Sequence, residues 1–247
     1  MKIESGPKLN THYEHLTPGV KPIMTCIGAP EDFGHKKGEI FQRFNENFKN
    51  VTNVAYFHKA PGFTDENVLN EKDKNYVISN IDNTNKFSEE FLECTSVIVS
   101  GLDKETGENI SFLSHQNPND FLFRKRGEFI QDFEKKLEEI RVRCKEGTVD
   151  AVILGGNYMD IISKNSPNGD TLAEIYVETI NLLSNEVEKF FKFKPEIING
   201  PKFNLKEQDD IFYDNKKRRV YFIRPEVNTN TQSFVADSFE DQKDEGF

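Results

Sequence analysis

One cysteine and one histidine in this chain stand where two neighbouring strands would bring them together. Cys94 and His115 are separated by TSVIVSGLDKETGENISFLS, in which two strand-like segments flank the turn KETG. A thiol beside an imidazole can become a nucleophilic thiolate, and the imidazole can then protonate the leaving group. The spacing therefore suggests thiol-based covalent chemistry. The alternative is a structural role, because cysteine is among the most buried residue types.

The turn length determines which side chains share a face of this predicted hairpin. If residues 104–107 form the loop, Ser96 lies directly opposite His115, and Cys94 is a diagonal neighbour of the histidine. Residues two apart on a strand point to one face, so these three side chains share a face. A loop one residue longer or shorter would separate thiol from imidazole. The opposite face is apolar and comprises Val97, Val99, Ile110 and Phe112.

The remaining cysteines and histidines are weaker candidates. Cys26 precedes His35 by nine residues, but no predicted element constrains that pair. Cys144 lies on the apolar face of a predicted helix and is interpreted as a core residue. His12 and His15 are close in sequence but lack a third ligand for a metal.

Composition argues against several functional classes. The 247 residues carry a formal net charge of −10, which disfavours binding to nucleic acid or anionic lipid. No apolar run of about 18 residues predicts a membrane span, and the N-terminus lacks the apolar core of a Sec signal. Three cysteines without a CxxC motif predict free thiols rather than disulfides or a zinc site. The basic segment NKKRRV at 215–220 is interpreted as a solvated turn and strand edge.

Periodicity predicts the elements that would hold the hairpin in place. Apolar residues at helical spacing predict a helix over 126–146, with Gly147 as its C-cap. The apolar run 149–156 predicts a buried strand whose two terminal glycines allow close backbone approach. A Thr-x-x-Glu capping box at 171–174 begins a second long helix that ends near 191. The other predicted elements are strands at 22–29, 51–60, 75–81 and 195–200, a short helix at 37–50, and a hairpin at 210–227 that turns at DNKK.

This order of elements predicts an α+β fold. Its sheet system is expected to be mostly antiparallel and sandwich-like, with helices packed outside. Residues 1–85 are predicted to form an N-terminal extension packed on a main domain at 86–227. The polar, acidic segment 228–247 is predicted to be a flexible tail.

Two short motifs are similar to motifs of a known enzyme superfamily. ECTSVIV resembles a Ser-Gly-Cys strand entry, and SVIVSGLDKETGENISFLSHQNP resembles a strand and Asp-containing turn leading to a catalytic His followed closely by Pro. Both belong to the glutamine deamidase fold shared by CheD-type chemoreceptor deamidases and cytotoxic-necrotizing-factor-type bacterial toxins. The region from Ser88 to Val227 also resembles that fold in its later helices, Gly-Gly strand end and terminal hairpin.

The resemblance implies roles for individual residues. Cys94 would be the nucleophile and His115 the general base and acid. CheD-type enzymes use a threonine six residues before the cysteine, and Ser88 stands at that spacing. The chain departs from the pattern at Glu93, which replaces a glycine. An ungapped alignment of the Asp-containing turn places Ser96 at the nucleophile position instead.

The implied activity is hydrolysis of a glutamine side-chain amide in a partner protein, with no metal or organic cofactor. The resemblance implies a toxin or effector whose protein substrate is a host GTPase or a translation or signalling protein. The expected location is the cytoplasm, or a host cell reached by secretion without a Sec signal.

Three alternatives remain from sequence alone. One is a transglutaminase, in which an amine replaces water, and another is a different Cys–His hydrolase. A papain-like protease does not fit, because its cysteine and histidine are about 130–150 residues apart. The last is a noncatalytic protein-binding domain on the same fold. Oligomeric state is not predicted.

Overall fold

A computed structural model describes residues 13–28, 30, 51–54, 76–118, 121–156, 162–164, 166–199 and 209–223. Two α-helices lie in these ranges, α1 (Arg126–Arg143) and α2 (Leu172–Phe191), and a π-helical turn at Phe121–Lys125 precedes α1. The strands are β1 (Met24–Ile27), β2 (Val51–Asn53), β3 (Tyr76–Ile78), β4 (Asn85–Phe91), β5 (Thr95–Leu102), β6 (Asn109–Gln116), β7 (Asp150–Gly155), β8 (Glu196–Asn199), β9 (Asp209–Asp214) and β10 (Arg219–Ile223).

The strands form two five-stranded sheets. Sheet A has the order β1-β10-β9-β4-β2, and sheet B has the order β3-β6-β5-β7-β8. Antiparallel pairing predominates, because only β1 with β10, β2 with β4 and β7 with β8 are parallel among the described strands. The predicted α+β class with mostly antiparallel sheets is confirmed.

Sheet B lies between the helices and sheet A. Its outward face packs on α1 and α2 in one core cluster, where Val97 and Phe112 meet helix residues such as Phe133 and Leu183. Its inward face packs on sheet A in a second cluster, where Ile98 and other sheet B residues meet residues of β9 and β10. The predicted outer helices therefore cover one side of one sheet.

The β5–β6 hairpin has the predicted register. Ser96 pairs with His115 and Leu102 pairs with Asn109, while the Asp103 amide donates to the Glu108 carbonyl at 2.8 Å. The Asp103 carboxylate accepts hydrogen bonds from the backbone of the next residues, which stabilises the turn. Local turn chemistry thus determines the register of the central strand pair.

Helix boundaries agree with the sequence at one helix and differ at the other. Thr171 and Glu174 form the predicted capping box of α2. Helix α1 ends at Arg143, earlier than expected, and Gly147 is not its C-cap. The reason is tertiary, because Cys144 adopts an extended conformation and bridges to Asp103 beside the hairpin. Neither described helix is long and apolar enough to cross a membrane.

Three strands from the first 85 residues belong to the two sheets. β1 pairs with β10, β2 with β4, and β3 with β6. The domain boundary between residues 85 and 86 stays a prediction. The predicted helix at 37–50 and the tail at 228–247 lie outside the described residues.

The basic segment at 215–220 is only partly solvated. Lys216 and Lys217 are exposed in the turn. Arg218 is 3 % exposed, and its guanidinium donates to the carbonyls of Thr148 and Ser100. The strand that follows lies between β1 and β9, so the expectation of a strand edge was wrong. The arginine connects the two sheets through backbone acceptors.

Candidate functional site

Ser88 of sheet A contacts His115 of sheet B across the space between the sheets. Ser88 Oγ lies 2.8 Å from His115 Nδ1, and the serine hydroxyl also donates a hydrogen bond to the Val54 carbonyl. Val54 directly follows β2, which pairs with β4. Two strands of sheet A therefore hold the serine against an imidazole from the facing sheet.

These contacts determine the tautomer of His115. A serine hydroxyl carries one proton, and here that proton is directed at Val54. Ser88 Oγ can then only accept from the imidazole, so Nδ1 carries the ring proton. In this tautomer Nε2 has a lone pair, which is the form in which a histidine acts as a general base.

The environment keeps His115 neutral. The ring is fully buried and stacks on Phe91, with ring centroids 4.0 Å apart. Burial lowers its pKa from 6.5 to about 3, and a smaller opposing effect comes from the Val54 carbonyl, which favours the protonated form. At neutral pH the imidazole is therefore uncharged, and it is a weaker base than a histidine in water.

Cys94 lies immediately before β5 and is held by the end of β7. The Gly156 amide donates to the Cys94 carbonyl at 2.8 Å. Gly155 and Gly156 have φ of 80° and 91°, a backbone region that glycine adopts readily. A Cβ on Gly155 would lie 2.7 Å from the Cys94 carbonyl oxygen. The interpretation of this glycine pair as a point of close backbone approach is confirmed.

The thiol and the imidazole are on the same side of sheet B. Cys94 belongs to the inter-sheet cluster together with Phe91, the residue that stacks on His115. The predicted apolar residues Val97 and Val99 lie in the other cluster, against the helices. Cys94 is 4 % exposed. The structure thus brings Ser88 and His115 into hydrogen-bonding contact and places Cys94 in the same inter-sheet layer.

The other cysteines and histidines occupy different surroundings. Burial, followed by the nearby Asp103 carboxylate, raises the pKa of Cys144 to about 12, so this thiol stays protonated at neutral pH. His15 stacks on Phe193 and its Nε2 lies 3.3 Å from an Asp150 carboxylate oxygen. Within the described ranges, no three His, Cys, Asp or Glu side chains are grouped as metal ligands. Both His12 and His35 lie outside the described residues.

The sequence did not predict strand β4, although it carries Ser88. The segment NKFSEEF lacks the regular alternation of a half-buried strand, and it contains a bulge between Ser88 and Phe91. Because of the bulge, Ser88 and Phe91 both face inward although they are three positions apart rather than an even number. The alternation of residues in the sequence therefore could not predict that Phe91 stacks on His115.

Neither known protein families nor curated protein sequences give a match to this chain.

Proposed function

We propose that this protein is a Cys–His hydrolase that deamidates a glutamine side chain of a partner protein. The observation that carries the proposal is the hydrogen bond between Ser88 and His115, with Cys94 on the same side of sheet B. Ser88 and His115 have the positions of orienting group and base in thiol catalysis, and in the proposed mechanism the Cys94 thiol reaches Nε2 from the same side of the sheet. Ser88 also stands at the spacing at which the CheD-type deamidases carry their third residue.

The chemistry follows from the tautomer of the histidine. Nε2 of His115 takes the proton of the Cys94 thiol, and the thiolate attacks the carbon of the substrate amide. The tetrahedral intermediate collapses with loss of ammonia, which leaves with the proton returned by the imidazolium. Water, deprotonated at the same nitrogen, then hydrolyses the thioester, so that glutamine and water yield glutamate and ammonia.

The low pKa of His115 determines the protonation state of the imidazole before the reaction. Because the imidazole is neutral, the resting pair is thiol and imidazole rather than thiolate and imidazolium. Charge separation would then occur as an electrophile, either the substrate amide or iodoacetamide, reaches the thiol and Nε2 takes the thiol proton. Ser88 maintains the histidine in the correct orientation throughout.

Burial favours a second candidate function. His115 is fully buried and Cys94 nearly so, which is typical of core residues in a noncatalytic protein-binding domain. In that case the serine and histidine form a structural hydrogen bond between two sheets, and the thiol has no special reactivity.

Alkylation of the thiols by iodoacetamide at pH 6 distinguishes the two candidates. The hydrolase should be modified at Cys94 before Cys26, and His115→Ala should slow modification of Cys94 about a hundredfold. Peptide mass spectrometry assigns each modified cysteine. Slow modification of Cys94 in the native protein, with Cys26 reacting first, would overturn the hydrolase proposal.

The reaction class is tested on a library of glutamine-containing peptides. Deamidation raises the mass of a peptide by about one dalton at a glutamine, transglutamination adds the mass of an amine, and proteolysis produces fragments. The partner itself is sought by capture on a Cys94→Ser variant, which carries a hydroxyl in place of the thiol.

A further inference from the structure

Ser96 is a buried hydroxyl beside the reacting groups for which the proposed mechanism has no role. It is completely buried on β5, and its Oγ has no hydrogen-bond partner among the described residues. Its backbone pairs directly with His115 on one side and with Leu154 on the other. Buried hydroxyls usually have a partner, because removal from water without one is destabilising.

The immediate neighbours of Ser96 on this face include two polar side chains. Across the strands lie His115 and the apolar Leu154. Two residues away along the chain lie the apolar Ile98 on β5 and Cys94, which immediately precedes β5. Side chains opposite one another in a sheet have Cβ atoms about 5 Å apart, and residues two apart on one strand are separated by about 6.6 Å. A serine that changes rotamer can therefore reach toward the imidazole or the thiol.

The position of the thiol proton determines whether the imidazole or the thiol accepts a hydrogen bond from Ser96. Before the reaction, Nε2 of His115 carries a lone pair, and the thiol is neutral. Once Nε2 has taken the thiol proton, this nitrogen can only donate a hydrogen bond. The Cys94 thiolate is then the atom that can accept one from the Ser96 hydroxyl. A hydroxyl donor beside a thiolate forms a charge-assisted hydrogen bond, which is stronger than one between neutral groups.

We propose that the Ser96 hydroxyl donates a hydrogen bond to the Cys94 thiolate formed when His115 takes the thiol proton. This inference rests on the proposed hydrolase function. Ser96 keeps its own proton throughout, so the only proton transferred is the one that moves from sulfur to Nε2. Ser96 is thus a positioning residue that makes the thiolate accessible at lower pH. Its hydroxyl, which has no hydrogen-bond partner among the described residues, is available for this bond.

The chain offers a matched control in Ser111. This serine is also completely buried and also lacks a hydrogen-bond partner for Oγ among the described residues. It lies on β6 four residues before His115, and therefore on the same face but farther from Cys94. Replacement of either serine by alanine removes a buried, unpartnered hydroxyl with little change in volume.

Two readouts separate a positioning role from a merely structural one. Urea unfolding should show that Ser96→Ala and Ser111→Ala are each as stable as the parent or more stable, because neither loses a hydrogen bond. The pH midpoint of Cys94 alkylation by iodoacetamide should rise by about one pH unit in Ser96→Ala and should not change in Ser111→Ala. At pH 6 this corresponds to alkylation that is about tenfold slower for Ser96→Ala. Ser96→Thr, which retains a hydroxyl, should restore the midpoint.

Failure of this inference is distinguishable from failure of the proposed function. If Ser96→Ala leaves the midpoint unchanged while His115→Ala raises it, the role of Ser96 is overturned and the hydrolase proposal stands. If His115→Ala leaves Cys94 reactivity unchanged, the hydrolase proposal itself is overturned. An equal shift in Ser96→Ala and Ser111→Ala would assign the effect to general repacking and would also overturn the role of Ser96.

Discussion

Cys94 and Cys144 are two buried thiols near opposite ends of strand β5, and they differ in what surrounds them. Their exposed fractions are almost equal, 4 % and 2 %. Each is close to a glycine: Gly155 lies against the Cys94 carbonyl, and Gly101 lies against the Cys144 sulfur. Cys144, however, belongs to the helix-side cluster and Cys94 to the inter-sheet cluster that includes the Phe91 ring on His115. Burial alone therefore does not separate a structural thiol from a candidate nucleophile.

The two thiols differ because they lie on opposite sides of sheet B and therefore have different neighbouring groups. On the helix side, Cys144 belongs to an apolar cluster, and the Asp103 carboxylate disfavours a second negative charge. Smaller opposing effects on its pKa come from nearby cations, but burial and Asp103 outweigh them. On the inter-sheet side, a neutral imidazole in contact with Ser88 lies in the same layer as Cys94. The alternation of strand residues thus gives one sheet two different chemical environments.

Substitution of the two cysteines should have the largest effect. We expect Cys94→Ser to lower glutamine deamidation of peptides by about a thousandfold or more, because the nucleophile is lost. Cys144→Ser should retain activity but lower the free energy of unfolding, because it places a hydroxyl in an apolar core. Peptide mass spectrometry and urea unfolding measure these two effects. Equal activities of the two variants would remove the distinction between the thiols.

Removal of the Ser88 hydroxyl should have the next largest effect. Ser88→Ala leaves His115 Nδ1 without this acceptor, so the imidazole is oriented less well, and Cys94 alkylation at pH 6 should slow by about tenfold to a hundredfold. The imidazole ¹⁵N chemical shifts should indicate a mixture of tautomers. Ser88→Thr retains the hydroxyl and should keep both the rate and the Nδ1–H tautomer. Unchanged alkylation in the alanine variant would show that the hydrogen bond between the sheets is structural only.

Two glycine substitutions should sharpen the difference between the environments. Gly155→Ala places a Cβ 2.7 Å from the Cys94 carbonyl oxygen, and Gly101→Ala places one 2.6 Å from Cys144 Sγ. Both should lower the free energy of unfolding by about 1 to 3 kcal/mol through overpacking. Only Gly155→Ala should also slow Cys94 alkylation beyond its effect on stability. Equal alkylation rates in the two variants would show that the position of the Cys94 backbone does not control its reactivity.

The pH dependence of stability should show the smallest effect, and it tests the neutral state of His115. The folded-state pKa of His115, about 3, is below its unfolded value of 6.5, so the unfolded chain binds the proton more tightly. The contribution of His115 to the free energy of unfolding is therefore fully present above pH 6.5 and is lost as the pH decreases toward 3. The free energy of unfolding should fall by about 2 kcal/mol between pH 7 and pH 5.

A substitution at His115 provides the control for this pH dependence. His115→Gln should be less stable than the parent at pH 7, but its urea midpoint should change much less between pH 7 and pH 5. Carboxylates that titrate below this window contribute equally to both proteins. A parallel change in the two proteins would show that His115 does not titrate in this way.

The structure also indicates which elements could be predicted from sequence. The β5–β6 hairpin and the start of α2 were predictable, because an Asp-containing turn and a capping box act within a few residues. Strand β4 was not, because its bulge interrupts the alternation between Ser88 and Phe91. The end of α1 was not, because Cys144 leaves the helix to pair with Asp103, which lies in a distant part of the chain.

For the candidate site, the order of residues is enough to predict the hairpin register and hence the face shared by Cys94, Ser96 and His115. Turn geometry and strand alternation are local properties, and both can be read from the residue order. The contact of Ser88 with the imidazole, the stacking of Phe91 on it and the burial that keeps it neutral depend on how the two sheets pack. These properties arise between two sheets whose strands are far apart in sequence, where long-range packing rather than local pattern sets the surroundings of each group.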